Sequence, residues 1–183
     1  MSRTTDLSSF SNVEYQPGGP VKRGLWYMVN AIVFNSPFLP FSGLKVFLLR
    51  LFGAEVGQGV VIKPKVNIKY PWFLQIGSHV WLGEGVWIDN LGMVTIGSHC
   101  CVSQGAMLLT GNHNFKSSSF DLLVSPINLE DGVWIGAQSV VCPGVYCESH
   151  AVLSVGSIAT SRLEAYKVHQ GNPAKVIKER VIQ

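Results

Sequence analysis

Residues 127–159 read INLEDGVWIGAQSVVCPGVYCESHAVLSVGSIA, and an aliphatic or small side chain returns at every sixth position. These positions are Leu129, Ile135, Val141, Cys147, Leu153 and Ala159. The same spacing occurs upstream at Ile76, Leu82 and Ile88 and, after a slip of two residues, at Ile96, Val102 and Leu108. A period of six fits neither an amphipathic helix, which repeats every 3.6 residues, nor a plain strand, which repeats every two.

This spacing predicts a solenoid in which a short strand and a corner alternate three times in each coil. Apolar side chains would point inward, and the glycine that follows several of them, as in Ile135-Gly136, would permit a tight corner. Neighbouring coils would pair as parallel strands about 4.8 Å apart. One coil cannot bury its interior alone, so several must stack and both ends must be capped. We therefore predict an all-β solenoid, a parallel β-helix of about five coils.

The repeat divides the chain into three regions. Residues 1–55 are predicted to form an N-terminal tail and an amphipathic helical cap, with helices at 23–34 and 42–52 separated by prolines. Residues 56–164 form the repeat, interrupted by a loop insertion at 111–126. Residues 165–183 form a C-terminal tail with a short helix near 174–181, which Pro173 would open.

Composition excludes several classes of protein. The chain has 183 residues, enough for one domain with a sizeable core, and 47% of them are hydrophobic, which excludes a disordered chain. The net charge of +3 is too small to indicate a nucleic acid partner. The four cysteines form no C-x-x-C pair and no metal-ligand spacing. We therefore expect reduced thiols in a cytoplasmic protein, and no bound metal.

The N-terminal region allows two interpretations. The stretch from Leu25 to Leu44 is uncharged, but its prolines, asparagines and glycine argue against a membrane-spanning helix. From Tyr15 to Ala54 there are four basic residues and no acidic one. Residues 23–52 could therefore be a helical cap on the first coil, which we favour, or a peripheral contact with the inner face of a membrane.

The repeat and the tail together resemble the hexapeptide-repeat acyltransferases. The most specific stretches are DGVWIGAQSVVCPGV (131–145), VLSVGSIAT (152–160) and HQGNPAKVIKER (169–180). Within that family, IKPKVNIKYPW (62–72), WIDNLG (87–92) and TGNHNF (110–115) are most similar to the colanic-acid-type exopolysaccharide O-acetyltransferases. The resemblance implies a left-handed coil and a homotrimer. It also implies acetyl-CoA as a co-substrate between neighbouring subunits, and a carbohydrate acceptor.

His113 is the candidate general base. It lies where the repeat breaks, whereas His79, His99 and His150 share one corner position of the repeat. Loops that leave a rigid scaffold often carry catalytic groups, although a solvent-exposed loop histidine is an equal alternative on the residues alone. The resemblance implies a catalytic histidine at this break. An imidazole with a pKa near ~6.5 suits removal of a hydroxyl proton during acyl transfer.

Three residues are candidate ligands of the acceptor: Glu84, Asn90 and Asn112. Their carboxylate and amide groups could form hydrogen bonds with sugar hydroxyls. The neighbouring Asp89 could do the same or could simply favour a tight turn. Galactoside-type members of the family carry an asparagine for the acceptor one coil before the histidine, where the register places Gly83 in this chain.

The resemblance also implies a set of donor-binding residues. Trp134, Ala137, Val155 and Gly156 would form a groove for the pantetheine arm of acetyl-CoA, and Thr160 falls on a further contact position. Lys175, Lys178 and Arg180 follow the GNPAK turn and could meet the nucleotide phosphates, because charge-assisted hydrogen bonds are strong. Trp134 could equally lie in a trimer interface, and the basic residues could be a solvated helix face.

We therefore predict an acetyl-CoA-dependent O-acetyltransferase that modifies a sugar hydroxyl in exopolysaccharide biosynthesis. Transfer would be direct, because neither Ser103 nor the cysteines show a nucleophile elbow or a paired histidine. One alternative is a non-catalytic β-helix scaffold. Another is an acetyltransferase for a free sugar, an amino sugar or an antibiotic.

Overall fold

The computed structural model describes residues 4–183 and shows a solenoid of short parallel strands with three faces. Face A contains β1 (Glu55–Val56), β4 (Leu74–Ile76), β7 (Val94–Ile96), β12 (Ile127–Leu129) and β15 (Tyr146–Cys147). Face B contains β2 (Val61–Ile62), β5 (Trp81–Leu82), β8 (Cys101–Val102), β13 (Trp134–Ile135), β16 (Val152–Leu153), β18 (Lys167–Gly171) and β19 (Ala174–Glu179). Face C contains β3 (Asn67–Ile68), β6 (Trp87–Asp89), β9 (Met107–Leu109), β14 (Val140–Val141) and β17 (Ile158–Ala159).

The residues of the sixfold spacing stack into columns inside the solenoid. On face B, Ile62, Leu82, Val102, Ile135 and Leu153 are partners in successive parallel pairs. All five side chains are fully buried, and burial of each contributes about 1.5–3 kcal/mol. The predicted parallel β-helix is confirmed, with five complete coils that each add one strand to every face.

The repeated histidines lie at the corner between faces A and B, which we call the A–B corner. His79, His99 and His150 adopt positive φ angles of 58°, 59° and 61°. The rings of His79 and His99 stack with their centroids 5.2 Å apart. Coils also approach closely at the corner that follows face B. A Cβ atom on Gly136 would lie 2.6 Å from the backbone nitrogen of Val155, which explains the glycine after Ile135.

Two helices cover the open end of the first coil. Helix α1 (Pro20–Val29) continues as a π-helical turn at Asn30–Phe34, and α2 spans Ser42–Leu51. α1 begins three residues earlier than the predicted residue 23, because Pro20 suits the first turn, where its missing N–H is not needed. Within residues 4–183, neither helix is long and apolar enough to span a bilayer. Residues 1–3 of the predicted N-terminal tail lie outside the described residues.

The helical cap satisfies backbone groups on all three faces of the first coil. On face A, the Arg50 guanidinium donates to the carbonyl oxygen of Val56 at 2.7 Å. On face B, Lys45 Nζ donates to the carbonyl oxygen of Lys63 at 2.8 Å. On face C, Trp26 Nε1 donates to the carbonyl oxygen of Ile68 at 2.8 Å. An exposed strand edge would otherwise offer these groups to another chain, so residues 20–52 act as a cap.

The predicted C-terminal helix near 174–181 is wrong. β18 and β19 form an antiparallel hairpin in which Gly171 lies opposite Ala174, so Asn172 and Pro173 make a two-residue turn. β18 also pairs with β16 on face B. The free edge of β18 provides backbone partners for β19. The β-branched Val176 and Ile177 suit that strand, and Pro173 belongs to its turn rather than to a helix start.

Candidate active site

The insertion leaves the solenoid at the corner between faces C and A, the C–A corner. It forms β10 (Gly111–His113) and β11 (Leu122–Val124), which pair antiparallel with His113 opposite Leu122. Thr110, which precedes β10, donates a hydrogen bond to the Asp89 carbonyl at 3.0 Å and accepts one from the Gly92 N–H at 3.0 Å. His113 therefore projects from a hairpin that is tied to the coil below it.

The His113 ring is held in one orientation. Its Nδ1 lies 2.8 Å from the carbonyl oxygen of Phe120, and the two rings stack with centroids 4.4 Å apart and planes 8° apart. A carbonyl oxygen can only accept a hydrogen bond, so Nδ1 carries the proton in this arrangement. Nε2 then keeps its lone pair, which is the tautomer that a general base needs.

The N-terminal tail contributes to this site, which the sequence analysis missed. The Phe10 ring lies 5.8 Å from the His113 ring, and the Asp6 N–H donates to the Ser118 carbonyl at 2.8 Å. Tyr15 Oη donates to the Leu91 carbonyl at 2.7 Å, and burial is the main cause that raises the pKa of this phenol. The tail therefore packs against the insertion. No local motif in the tail signals this contact, because its partners are distant in sequence.

Asn90 is not an acceptor ligand. Its side chain is fully buried; Oδ1 accepts the Tyr70 N–H at 3.0 Å, and Nδ2 donates to the Tyr70 and Phe73 carbonyls. These bonds join the first two coils at the C–A corner. The sequence showed a polar residue near the insertion, but burial under the neighbouring coil commits its amide to the backbone. We therefore withdraw Asn90 from the predicted acceptor site.

Asn112 and Glu84 lie in different places. Asn112 is exposed on β10, and its Oδ1 accepts the His113 N–H at 2.8 Å. Glu84 lies at the corner between faces B and C, the B–C corner, with its Oε1 2.9 Å from Lys65 Nζ. This hydrogen bond is the main cause that lowers the pKa of the exposed Glu84 carboxyl.

Gly83 precedes Glu84 at the B–C corner and cannot be replaced by a residue with a side chain. A Cβ atom at this position would lie 2.5 Å from the backbone nitrogen of Gln104.

A cleft of about 770 Å³ lies along face B and the B–C corner. Five of the predicted donor residues line it: Trp134, Ala137, Val155, Lys178 and Arg180. Its walls come from β13, β16 and the β18–β19 hairpin. We call this the donor cleft. Its mixture of an aromatic ring, small residues and basic side chains suits a long ligand with an apolar arm and a phosphorylated end.

The remaining predicted donor residues do not line the cleft: Gly156, Thr160 and Lys175. Gly156 directly follows Val155 and has a positive φ of 66°, so it shapes the turn beside the cleft. Thr160 follows β17 and is exposed at the C–A corner, on the side of face C away from the donor cleft. Lys175 is exposed at the start of β19.

Two residues of the donor cleft are fixed by hydrogen bonds. Trp134, half-exposed, donates from Nε1 to Ser103 Oγ at 2.9 Å, so its indole lies in a defined orientation on face B. Arg180 Nη1 donates to the carbonyl oxygens of Gly132 at 2.8 Å and His150 at 3.0 Å. Ser103 was not among the predicted site residues. Trp134 pairs with Cys101 on the neighbouring coil, two residues before Ser103, so the repeat register could have indicated that the indole and the serine are close.

A second cleft of about 690 Å³ lies between α1 and face C of the first two coils, and it reaches the C–A corner at Tyr70. Arg23, Lys69, Tyr70, Trp87 and Asp89 are among the residues that line it. Lys69 Nζ lies 2.9 Å from Asp89 Oδ1. Aromatic rings combined with charged groups are able to pack on sugar rings and bind their hydroxyls. We call this the C–A cleft.

The thiols are poorly suited to nucleophilic catalysis. All four cysteines are free, and Cys100 and Cys147 are buried. Burial is the main cause that raises the pKa of Cys100 to about 11, and it raises that of Cys147 as well. The thiolate is the reactive form, so both groups are unreactive near neutral pH. Across residues 4–183, no group of three or more His, Cys, Asp or Glu side chains is arranged to hold a metal ion.

The chain is similar to the Escherichia coli K12 protein named "Putative colanic acid biosynthesis acetyltransferase WcaF". The two are 40% identical over 178 residues, which covers 96% of this chain and 97% of that protein. The galactoside O-acetyltransferase of the same organism is 29% identical over 135 residues, covering 72% of this chain and 66% of that protein. No family model matches the chain.

Among solved structures, the chain is similar to a hexapeptide-repeat-containing acetyltransferase of Vibrio cholerae. The TM-score is 0.81 at 19% sequence identity, with 96% of this chain and 98% of that chain covered. A second structure of the Vibrio protein, in complex with acetyl coenzyme A, gives a TM-score of 0.79 at 19% identity and covers 88% of each chain. The shared fold is the left-handed parallel β-helix, as the resemblance implied.

Proposed function

The chain belongs to the hexapeptide-repeat acetyltransferases, and we propose that it transfers the acetyl group of acetyl-CoA to a sugar hydroxyl in exopolysaccharide biosynthesis. One observation carries this proposal. His113 Nδ1 is bonded to the Phe120 carbonyl at 2.8 Å, which leaves Nε2 as the free base on a hairpin outside the repeat. The relative named for colanic acid biosynthesis supports the polysaccharide assignment.

His113 acts on the acceptor in the proposed reaction. Its Nε2 accepts the proton of the sugar hydroxyl while that oxygen attacks the carbonyl carbon of the thioester. The carbon–sulfur bond then breaks, and the imidazolium returns the proton to the leaving thiolate. The products are an O-acetyl ester and the free thiol of coenzyme A. The Phe120 carbonyl stabilises the imidazolium, because it accepts a hydrogen bond from the Nδ1–H throughout.

The donor cleft binds acetyl-CoA in this proposal. Trp134 and Val155 contact the pantetheine arm, and Ala137 leaves room for it at the corner. Lys178 and Arg180 lie at the β19 end of the cleft, where they meet the phosphates of the nucleotide. The acetyl-CoA complex of the Vibrio protein supports a donor of this kind.

A homotrimer completes the site in this proposal. His113 lies at the C–A corner and the donor cleft at the B–C corner, so within one chain His113 and the bound acetyl-CoA would lie at different corners of the solenoid. A threefold arrangement lets the C–A corner of one subunit face the donor cleft of its neighbour. Exposed aromatic residues on the coils support such contacts, since Trp81 is 61% and Trp87 41% exposed. Sedimentation equilibrium tests this arrangement, and a monomer at micromolar concentration would contradict it.

The acceptor sugar enters at the C–A corner. The C–A cleft extends from face C of the first two coils to the corner from which the insertion leaves, and Asn112 is exposed beside His113. Trp87 offers a ring for stacking, while Asp89 and Arg23 offer hydrogen-bonding groups. Glu84 lies at the B–C corner and reaches the acceptor only from a neighbouring subunit. The free thiols support a reducing compartment, the cytoplasm.

The test is release of coenzyme A thiol from acetyl-CoA in the presence of a panel of acceptors. The panel contains free sugars, amino sugars, oligosaccharides and chloramphenicol, and product mass identifies the acetylated compound. O-acetylation of a saccharide that is lost in His113→Ala supports the proposal. Absence of acetyl transfer to every acceptor, with acetyl-CoA bound normally, would favour the scaffold alternative. Acetylation of an amine or of the antibiotic alone would redefine the acceptor.

A further inference from the structure

A cavity of about 610 Å³ lies between the N-terminal tail and the insertion hairpin. Residues 11–15 of the tail form one wall, and Asp121, Leu122 and Val124 form the other. We call it the tail cavity. Its volume falls within the range of about 300–1,000 Å³ that is typical of ligand pockets. Neither wall belongs to the repeat, so the cavity exists only because two irregular segments of the chain meet.

The tail is held in place at both ends of the segment that lines the cavity. The Asp6 N–H donates to the Ser118 carbonyl of the insertion at 2.8 Å. The Tyr15 hydroxyl donates to the Leu91 carbonyl at the C–A corner at 2.7 Å. Between these two points the chain makes a helical turn at Leu7–Ser9. The wall that the tail provides is therefore fixed to the insertion and to the coils.

The tail cavity borders His113 through both of its walls. Leu122, in one wall, lies directly opposite His113 across the hairpin. Side chains at directly opposite positions of antiparallel strands are neighbours on one face of the sheet. Phe10 precedes Ser11 of the other wall, and its ring centroid is 5.8 Å from that of His113. A ligand in the tail cavity would therefore lie beside the imidazole.

The lining of the tail cavity fits a neutral ligand that is rich in hydroxyl groups. Glu14 and Asp121 carry carboxylates, which accept hydrogen bonds and repel an anion. The hydrogen bond from the Ser119 hydroxyl is the main cause that lowers the pKa of the Asp121 carboxyl, so this group is ionised near neutral pH. The Asn12 amide both donates and accepts. Tyr15 adds an aromatic side chain that is able to pack on the carbon face of a sugar ring.

Tyr15 lies where the tail cavity approaches the C–A cleft. It lines the tail cavity, and its hydroxyl bonds to the backbone two residues after Asp89, which lines the C–A cleft. Burial is the main cause that raises the pKa of the Tyr15 phenol, and Tyr70 and Asp89 of the C–A cleft add to it. These groups act on the phenol because they are close to it. The two cavities therefore flank one residue at the corner that carries the insertion.

We propose that the tail cavity is a second saccharide subsite, in which a neutral sugar residue binds beside the residue that carries the attacked hydroxyl. The acceptor is then an oligosaccharide, and the C–A cleft binds a further part of it. This inference rests on the proposed acetyl transfer to a sugar and deepens it by assigning the length of the acceptor.

Acetyl transfer to saccharides of increasing length tests the proposal. The acceptors are monosaccharides and short oligosaccharides prepared from the de-O-acetylated exopolysaccharide of the source strain. We expect kcat/KM to be about tenfold higher, or more, for the best oligosaccharide than for the best monosaccharide, because the added residue makes hydrogen bonds of its own. The double variant Asn12→Ala with Glu14→Ala should lower the ratio of these two values by about fivefold. A substitution that merely disturbed His113 would lower both values together and leave the ratio unchanged.

Leu7→Ala is the matched control, since Leu7 is 65% exposed in the tail but lies outside the tail cavity. Its ratio should equal that of the parent. Equal kcat/KM for monosaccharides and oligosaccharides, or a parental ratio in the double variant, would overturn the subsite and leave acetyl transfer to a sugar intact. Absence of acetylation of every saccharide would contradict the proposed function instead.

Calorimetric binding of the same saccharides to His113→Ala tests the subsite without turnover. Tighter binding of the oligosaccharides than of the monosaccharides, lost when Asn12→Ala and Glu14→Ala are added, supports the subsite. Equal binding of both would overturn it.

Discussion

His113 and Phe120 face each other across the insertion hairpin, with His113 Nδ1 2.8 Å from the Phe120 carbonyl and the two rings stacked at 4.4 Å. The hydrogen bond selects the tautomer, and the stacked ring fixes the plane of the imidazole. A base that is already oriented loses little conformational freedom when the acceptor binds. In the proposed reaction, this pair gives the insertion a role that the repeated corner histidines do not have.

The first prediction concerns this base. His113→Ala should lower turnover by about two to four orders of magnitude, the usual contribution of a positioned general base. Acetyl-CoA affinity, measured by calorimetry, should stay near the parent value, because His113 is not among the residues that line the donor cleft. His99→Ala is the matched control. His99 is a corner histidine stacked on His79, so its variant should stay within a few-fold of the parent. Parental turnover in His113→Ala would remove the assignment.

The second prediction concerns the donor cleft. Trp134→Ala should raise the KM for acetyl-CoA by about tenfold, which corresponds to about 1.4 kcal/mol, because the apolar arm loses an aromatic wall. The kcat should change less, since the indole does not contact the reacting atoms in the proposed site. Steady-state kinetics at fixed acceptor concentration separate the two constants.

Trp81→Ala is the matched control for Trp134→Ala. Trp81, Cys101 and Trp134 lie in one column on face B, but Trp81 is outside the donor cleft. Its removal affects only a proposed subunit contact, so it should raise the KM for acetyl-CoA less than Trp134→Ala does. Equal effects of both substitutions would indicate that Trp134 serves subunit contacts instead.

The sequence predicted the features that depend on register and missed those that depend on distant contacts. Columns such as Leu82 over Ile62 follow from the period of six, because each coil repeats the same geometry. The sequence predicted Asn90 as an acceptor ligand because its position in the repeat does not reveal that its amide is hydrogen-bonded to the backbone of the first coil. The sequence predicted a helix near 174–181, where the β18–β19 hairpin forms, because Pro173 is compatible with a helix start and with a turn. The edge of β18 favours the turn, and that edge exists only in the folded solenoid.

The third prediction concerns alkaline stability. An unburied cysteine thiol has a pKa of 9.0, and burial in the folded protein raises that of Cys100 to about 11. Between these values the unfolded chain releases the thiol proton and the folded chain keeps it, so the free energy of unfolding falls as pH rises through this interval. Denaturant unfolding at a series of pH values measures the slope. Cys100→Ala should show a shallower slope from pH 9 to about 11 than the parent.

Cys101→Ala is the control for this pH dependence. Cys101 is the next residue and is half-buried on face B, so its variant measures the effect of removing a neighbouring thiol that is not enclosed in the core. Identical slopes in all three proteins would show that Cys100 does not ionise differently in the folded and unfolded chains.

The fourth prediction concerns the cap. Trp26 is 2% exposed, its ring lies 5.1 Å from that of Phe34 and 5.2 Å from that of Phe52, and Nε1 donates to the Ile68 carbonyl. Trp26→Ala should therefore lower the free energy of unfolding by about 3–5 kcal/mol. Trp26→Phe keeps most of the apolar contact but leaves a carbonyl unpaired, so its loss should be smaller, about 1–3 kcal/mol. Urea unfolding at one fixed protein concentration provides the comparison.

Tyr27→Ala is the matched control for the cap, because Tyr27 follows Trp26 in α1 but is 71% exposed. Its free energy of unfolding should remain within about 0.5 kcal/mol of the parent. The difference in stability between Trp26→Ala and Tyr27→Ala tests whether the cap and the coils unfold as one unit.

If the cap and the coils unfold together, deletion of residues 1–52 should give insoluble protein, because it opens the three strand edges of the first coil to other chains. A soluble, fully active deletion variant, or a Trp26→Ala variant as stable as Tyr27→Ala, would show that the coils are stable without the cap.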